Sequence, residues 1–305
     1  MEANKVMWEN LIKAERKARS SKLRRLLYQP VLYPALMLFD YAIYPYTRRS
    51  KPIFTNTFFG IRMKTVLPSG TDIRLHRIKA HDSELRFAKF LLRHLKQDDV
   101  FVDVGAHYGY YSLLAVALIG PKGHVYAVEA SAASSAILKE NTSAYPNITI
   151  IQAAASDTRG HITFYEYPVP YAECNTTVKD AYAGQKWAEK IQQIENHVPT
   201  VLIDELLTKE GITKAMFKID AEGGETAVLK GMINSLKTMD LCVVMEYHHT
   251  PGKISIHEDA VSVLKECGYS AHGIDVDGNV FPVPDITRYL EDKMLESDNL
   301  VFRKA

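Results

Sequence analysis

The sequence predicts an α/β fold built on a mostly parallel, doubly wound sheet, and three observations carry that expectation. From Val100 onward, short apolar runs alternate with stretches of helical periodicity, the pattern of repeated βα units. The run "FVDVGAHYGYYS", Phe101 to Ser112, reads as a strand, a tight glycine turn and a helix start. Asp103, Glu129, Asp220 and Glu246 all fall at predicted strand ends, and sheets of this kind hold ligands at the carboxyl ends of their strands.

Taken in order, Phe54 to Leu75 alternates apolar and polar residues around Pro68-Ser69-Gly70, which predicts a β-hairpin or β-cap. Ser83 to Leu95 has helical spacing, with Ser83 as the N-cap. The first strand is Val100–Val104, followed by a helix over Tyr110–Ile119. Val125–Val128, Ser134–Asn141 and Ile148–Ala154 continue as strand, helix and strand. Asp157-Thr158-Arg159-Gly160 is a turn into a strand over His161–Tyr165. The next stretch, to His197, is irregular and rich in Tyr, Asn and Lys, as expected of a functional loop or lid. Order resumes with "VPTVLIDELL", a strand over Ala215–Ile219, a helix over Thr226–Leu236 and a strand over Leu241–Met245. A helix over Asp259–Cys267 precedes terminal strands Ser270–Ile274 and Asn299–Arg303, set around a hairpin-type turn at Asp277-Gly278-Asn279. The expected division is an arm over 1–53, a β-cap and helix over 54–98, and a core domain over 99–305 with an insert at about 165–197.

Composition narrows the function classes. The 305 residues are 47% hydrophobic and 24% charged, as in an ordinary globular protein. A net charge of +1 gives no global field for nucleic acid, so no nucleic-acid partner is expected. Cys174, Cys242 and Cys267 lie far apart with no CxxC pair, which fits a reducing, cytoplasmic setting.

The N-terminal arm is basic and aromatic. Lys13, Arg16, Lys17, Arg19, Lys22, Arg24 and Arg25 precede "VLYPALMLFDYAIYPY", Val31 to Tyr46, which Arg48, Arg49 and Lys51 follow. A spanning helix needs about 20 apolar residues. This run is shorter, is interrupted by Asp40, and carries Pro34 and Pro45, which disfavour a continuous helix. No small-residue cleavage site follows it, which argues against a cleaved signal peptide. Three placements stay open: packing on the domain or on a partner subunit in a homo-oligomer, peripheral contact with the inner membrane face through residues 22–51, or spanning.

The glycine turn indicates the cofactor. A dinucleotide fingerprint needs GxGxxG, but His107 stands where the second glycine would let backbone approach a pyrophosphate. The GxxxxGK[ST] phosphate loop is absent as well. The observed pattern is Asp103-x-Gly105-x-x-x-Gly109, with Ala106 and His107 inside the turn. It suits S-adenosylmethionine, which offers an ammonium, a carboxylate and a sulfonium in place of phosphates. An acid at the strand tip pairs with the cationic end, and N–H groups near the helix start take the carboxylate. Glu129 is placed to accept from both ribose hydroxyls, a device shared with NAD sites.

A second segment, "FKIDAEGGE" from Phe217 to Glu225, sets Asp220, Glu222 and Glu225 around Gly223-Gly224 after a buried strand. Together the two segments resemble the FkbM family of S-adenosylmethionine-dependent methyltransferases, which typically shows VDVGANxGxYS and KIDVEGxE at about this separation. The resemblance covers about Asp82 to Ala305, with "YAVEAS", "NITIIQAAASD" and "VLIDELL" as intermediate landmarks. It implies a class I methyltransferase (Rossmann-like) fold: a seven-stranded, mostly parallel sheet with helices on both faces and an antiparallel last strand, here with an N-terminal helical and β extension. It also implies Asp103, Gly105, Ala106, His107, Gly109, Glu129 and Ala130 around the cofactor. The family's usual Asn is His107 here. Where many such enzymes place an acid against the adenine amine, this chain has Ala154, with Asp157 three residues on. The adenine contact then comes from backbone near Ala154 or from Asp157.

Methyl transfer to a hydroxyl is an in-line displacement, and the hydroxyl must lose a proton to a base or a metal. Asp220, Glu222, Glu246 and His248 ("MEYHH") follow the fourth and fifth strands on one rim and are the expected catalytic group. Helix capping or pairing with Lys218 is the plain alternative for Asp220 and Glu222, a first-turn dipole role for Glu225, and solvation for His248 and His249. Asp220, Glu246 and His248 are the only candidates for a divalent cation, and their spacing does not support one. Glu84, at the start of its helix, is a further candidate for the cofactor. Tyr165, Tyr167, Tyr171, Asn175, Thr176 and Trp187 in the insert suit a saccharide or other polyhydroxylated acceptor. The expected activity is O-methylation of a saccharide or a glycan or lipid-linked intermediate. An NAD-dependent oxidoreductase and a non-catalytic scaffold of the same fold are the competing readings.

Overall fold

Alternation of apolar side chains divides one sheet into two buried faces. Phe101, Met216, Val244 and Val301 join one hydrophobic cluster. Their strand neighbours Val102, Phe217, Val243, Val104, Ile219, Met245, Leu300 and Phe302 join another. This is the period-two signature of a sheet covered on both sides. The computed structural model describes residues 2–179, 181–182, 184–185, 187–248 and 257–304.

The chain begins with α1 (Glu2–Ala18), α2 (Lys22–Tyr28), α3 (Leu32–Leu38) and α4 (Tyr44–Thr47), the last two joined by a π-helical turn over Phe39–Ile43. The run from Leu32 to Thr47 is therefore helical throughout, where prolines were expected to break it. Pro34 sits in the first turn of α3, where a missing N–H costs least, and Pro45 directly follows the π-helical turn, in which the Tyr44 N–H reaches the Phe39 carbonyl. No helix among the described residues is long and apolar enough to cross a membrane.

An antiparallel hairpin of β1 (Lys51–Asn56) and β2 (Arg62–Leu67) follows. Its turn lies at 57–61, not at Pro68-Ser69-Gly70, which leads instead into α5 (Thr71–His76). Next comes α6 (Asp82–His94), whose N-cap is His81 rather than Ser83. Ser83 is buried in the first turn, 2.7 Å from the His81 ring.

The main sheet is assembled from β3 (Val100–Val104), α7 (Tyr110–Ile119), β4 (His124–Val128), α8 (Ala132–Thr142) and β5 (Ile148–Ile151). The third predicted strand ends at Ile151. Ala154 instead belongs to β6 (Ala154–Ala155), which pairs with β8 (Ile194–Val201) in a small sheet completed by β7 (His161–Glu166). Then come α9 (Ile203–Lys209), β9 (Lys214–Ile219), α10 (Glu225–Lys230), α11 (Ile233–Thr238) and β10 (Asp240–His248). The predicted single helix over 226–236 divides at Gly231, where a Cβ would overlap the Ser156 carbonyl. The chain finishes with α12 (Glu258–Glu266), β11 (Tyr269–Ile274), β12 (Val280–Pro282), α13 (Ile286–Asp292) and β13 (Ser297–Lys304).

Strand order is β12-β11-β13-β10-β9-β3-β4-β5. The seven-stranded class I methyltransferase arrangement is present, with β13 antiparallel between β10 and β11. The difference from the expectation is an eighth strand, β12. The Asp277-Gly278-Asn279 turn closes β11 onto β12, because a tight turn joins adjacent strands locally, whereas β13 returns through α13. Sequence order reverses between β3 and β9, which is where a crevice opens in such sheets.

The N-terminal helix is part of the core. Met7, Leu11 and Ala14 recur at helical spacing and share the cluster of α6 and α7. Glu15 pairs with the buried Lys89 of α6 at 2.7 Å. Leu11 is fully buried, so Leu11→Ala should cost about 2–4 kcal/mol, read as a lower urea midpoint with an unchanged slope.

Candidate functional site

β3 and β9 are adjacent and parallel, with Asp103 opposite Lys218. By strand parity both side chains share the face of Phe101 and Met216, under α6 and α7. Asp103 is 1% exposed. One carboxylate oxygen accepts from the Ser112 hydroxyl at 2.6 Å. The other, Oδ1, is buried and has no partner. Burial pushes the Asp103 carboxyl up, with Lys218 and the Ser112 bond opposing. An uncompensated buried acceptor is costly, and here it borders a cavity.

The cavity sits over the β3–β9 crevice. Its floor is Asp103 to Tyr108, and its walls are Val128 to Ala130, Ala153 to Ala155, Phe164, and Asp220 to Glu222 with Glu246. Met63, Thr65 and Ser69 close it from the hairpin side. The hairpin is fastened to α8 by Asn141, whose side chain exchanges hydrogen bonds with the Lys64 backbone at 2.6 and 2.9 Å and donates to the Tyr108 carbonyl at 2.8 Å.

The loop between β3 and α7 depends on two left-handed glycines. Gly105 has φ +77°, and a Cβ there would overlap the Asp220 carbonyl oxygen. Gly109 has φ +84° and caps α7. It does not line the cavity, because it faces Leu138 on the opposite side. The N–H groups of Gly105 and Ala106 both donate to the Val128 carbonyl. These N–H groups are already spent within the loop, which leaves the start of α7 for an anion.

His107 is itself in the left-handed region, φ +50°. Its N–H donates to Glu129 at 2.7 Å, and its ring stacks on Tyr108 at 3.6 Å. Burial lowers the His107 imidazole to about 4, so it is neutral at physiological pH, and its buried Nε2 has no hydrogen-bond partner. Glu129 accepts from the His107 and Ser131 N–H groups, one on each oxygen. Burial nevertheless pushes its carboxyl up to about 7. Each oxygen keeps a lone pair for a further donor.

The acid cluster is divided by specific pairings. Asp220 pairs with the buried Lys218 ammonium at 2.8 Å. Burial opposes the charge on Lys218, but Asp220 and Asp103 outweigh it and raise its pKa. Glu222 (φ +49°) is bonded by the Tyr182 hydroxyl, and burial followed by Asp220 raises its carboxyl well above the usual range. Glu225 folds back beneath the loop, accepting from the Ala221 N–H at 2.9 Å and the Gly223 N–H at 3.0 Å, with His257 at 3.3 Å. Its role is loop closure rather than only a helix-dipole contact.

Glu246 and His248 form a separate pair at the rim, 3.6 Å apart. Burial alone would raise the Glu246 carboxyl; the His248 bond and charge, with a Ser297 hydrogen bond at 2.8 Å, hold it at about 2. Against its own burial, Glu246 raises His248 to about 9. His248 is half-exposed at the rim, and Glu222 and Asp220 of the cavity wall also favour its charged form. His249 lies outside the described residues.

Two further expectations are corrected. Asp157 is exposed and does not reach the cavity, because the chain leaves the main sheet at Ile151 to pair with β8. Ala154 and Ala155 remain in the wall. In the insert, Tyr167, Tyr171 and Trp187 pack on one another and on Tyr182, with Tyr171 and Trp187 stacked at 4.6 Å. Of the insert residues expected around an acceptor, Asn175 alone lines the cavity, beside Phe164, Ala172, Glu173 and Thr177. Among the described residues no group of three or more His, Cys, Asp and Glu is arranged for a metal.

Sequence reasoning missed Lys79, Glu173 and Tyr111. Lys79 ties Glu173 of the insert (3.3 Å) to Glu84 of α6 (3.8 Å), and the Tyr111 hydroxyl donates to Glu84. All four line the cavity. Lys79 lies in a connection with no periodicity and no motif, so no sequence signal marks it.

Residues 103–271 match the family model of the methyltransferase FkbM domain. The chain belongs to this family. A hexuronic acid methyltransferase, AglP, from Haloferax volcanii is 29% identical over 174 residues, 56% of this chain and 65% of that protein. The matched region therefore spans just under two thirds of that relative's length. Among solved structures, an FkbM methyltransferase from Methylobacillus flagellatus KT aligns with TM-score 0.42 and 14% identity, over 77% of this chain and 52% of that one. Aeropyrum pernix fibrillarin, in complex with natively bound S-adenosyl-L-methionine, aligns with TM-score 0.40 and 12% identity, over 72% and 74%.

The Gly105 contact offers a local test. Gly105→Ala combines a left-handed φ with an overlap against backbone. It should push β3 and β9 apart at their tips and cost about 2–4 kcal/mol of stability, measured by chemical denaturation. Gly160→Ala, which also has positive φ but meets nothing within 4 Å, should cost less.

Proposed function

We infer that the protein is an S-adenosylmethionine-dependent O-methyltransferase whose acceptor is a saccharide or a glycan or lipid-linked intermediate. One observation carries the cofactor reading: a buried, unpartnered Asp103 Oδ1 at the edge of a glycine-floored cavity. That oxygen fits an ammonium. Glu129 offers two lone pairs to a ribose diol, and Val128, Ala130, Ala154 and Phe164 offer an apolar wall to a flat base. Membership of the FkbM family and a relative named for a hexuronic acid support the acceptor class. A pyrophosphate fits less well, since the second glycine it needs is His107, whose N–H is committed to Glu129.

The bound cofactor would supply a methyl group on a sulfonium. The chain's residues do the rest: they hold, align and manage the proton. Asp220, Glu222 and Glu246 border the cavity together. Burial and Asp220 favour the protonated form of Glu222, while Glu246 stays ionised beside His248. Asp220, held by Lys218, is the carboxylate left to receive the acceptor's hydroxyl proton.

Transfer of a labelled methyl group into whole-cell glycan, lipid and small-molecule fractions tests the reading. Label in the glycan or lipid-linked fraction is expected, and tight NAD binding with no S-adenosylhomocysteine binding would overturn it. Asp220→Asn should lower turnover by about 10²-fold or more while leaving S-adenosylhomocysteine affinity nearly intact. Asp103→Asn should weaken S-adenosylmethionine binding by about tenfold or more, because a charge-assisted bond is lost. Ionised Glu129 accepts hydroxyl donors better than its protonated form. Affinity for S-adenosylhomocysteine should therefore rise by up to about tenfold from pH ~6 to ~8, and Glu129→Gln should flatten that dependence in calorimetric titrations.

A further inference from the structure

The exposed apolar side chains of this protein are concentrated in one place. Of the fifteen large hydrophobic residues exposed among the described residues, nine lie between Leu23 and Tyr46: Leu23, Leu26, Leu27, Tyr28, Val31, Leu38, Tyr41, Ile43 and Tyr46. Scattered exposed hydrophobics need no explanation, but a contiguous group on short helices does.

The helices are docked, so their exposed side is not an accident of poor packing. Leu36, with Leu32, Tyr33, Met37 and Phe39, packs against Leu67, Leu75 and Ile53 of the hairpin and α5. Tyr44 is buried. The opposite stripe, Leu38, Tyr41 and Tyr46, stays in solvent, up to 89% exposed at Tyr46. The π-helical turn over Phe39–Ile43 inserts one residue into this helical run.

Exposed charge on this segment has one sign. Lys22, Arg24, Arg25, Arg48, Arg49 and Lys51 flank the apolar group, and all but the half-buried Arg25 are exposed. Asp40 is the single acid between Lys22 and Lys51. It is turned inward, accepting from Thr71 at 2.8 Å, and burial raises its carboxyl. The outer surface is thus apolar, aromatic at its ends and cationic at its border, on a chain whose net charge is only +1.

We propose that the outer side of residues 22–51 docks on an anionic lipid bilayer. Leucine, valine and isoleucine enter the acyl boundary, Tyr28, Tyr41 and Tyr46 sit at headgroup level, and the arginines and lysines meet anionic headgroups. A second copy of this chain would carry the same positive border, so self-association through this side brings like charges together. The site also gains by position. A cleft lined by Lys22, Arg25, Tyr33, Tyr41 and the inward-facing Asp40 and Asp72 reaches Ser69, which borders the main cavity as well. Docking would hold the cavity beside a lipid-linked acceptor, a consequence that rests on the proposed function although the docking itself does not.

Co-sedimentation of the full chain with sucrose-loaded vesicles tests this. Vesicles of phosphatidylglycerol and phosphatidylcholine should bind it, with at least tenfold weaker partitioning to phosphatidylcholine alone and at raised salt. Arg24→Glu with Arg49→Glu, and separately Leu27→Ser with Tyr46→Ser, all at exposed positions, should each lower partitioning at least tenfold. Thermal midpoint and S-adenosylhomocysteine affinity should not change, since these side chains touch neither core nor cavity. Absence of vesicle binding, equal binding to neutral vesicles, or a dimer that these substitutions dissociate would overturn the proposal. If vesicles fail to bind while S-adenosylhomocysteine does, the docking surface falls and the functional reading stands; the reverse result separates them the other way.

Discussion

Lys218 is the cation around which the rim is organised. It projects from β9 at 4% exposure, opposite Asp103 and 2.8 Å from Asp220, and its charge also acts on Glu84. Without a buried cation, several carboxylates at the tips of neighbouring strands would have to protonate or separate. With it, they differentiate. Asp220 is paired, Asp103 keeps one bare oxygen, and burial followed by Asp220 favours the neutral form of Glu222. The chemical variety of this rim comes from Lys218, with Lys79 beside it, placed among like charges.

The close approach of β3 and β9 is the geometric counterpart. The Asp220 N–H donates to the Val104 carbonyl at 3.1 Å, and the Asp220 carbonyl occupies the space a Gly105 side chain would need. Glycine is required there for two independent reasons, conformation and contact. The two motifs seen in the sequence are therefore one structural unit, more than a hundred residues apart in the chain and touching at the switch point of the sheet. Glu225 and His257 extend that unit by closing the second loop from below.

The rim is divided between core and insert through Lys79, whose partners are Glu84 of α6 and Glu173 of the insert. Tyr167, Tyr171 and Trp187 of the insert turn to one another instead of toward the cavity, while the Tyr182 hydroxyl bonds Glu222 of its wall. They make a self-packed cover, and the polar groups left facing inward are Glu173, Asn175 and Thr177. Tyr and Trp are as suited to packing as to sugar binding, and composition could not distinguish the two.

The order of strands and helices, the glycine loop and the acids at strand tips were legible in the sequence, because each is written in local pattern: period two, period 3.6, or a turn that only glycine allows. Asp103, Gly105, Glu129, Asp220 and Glu222 were found this way, and they do meet in one cavity. What failed were assignments that depend on where the chain goes next. Asp157 left the site because Ala154 pairs with β8, the Asp277-Gly278-Asn279 turn served an added edge strand, and Leu32 to Thr47 stayed helical because Pro34 falls in a first turn and Pro45 directly after a π-helical turn. Lys79, Glu173 and the bare oxygen of Asp103 carry no sequence mark at all. Charge state, pairing and burial are properties of neighbours brought together by folding, so the tertiary structure alone decides which acid is free, which is paired and which is pushed toward its neutral form.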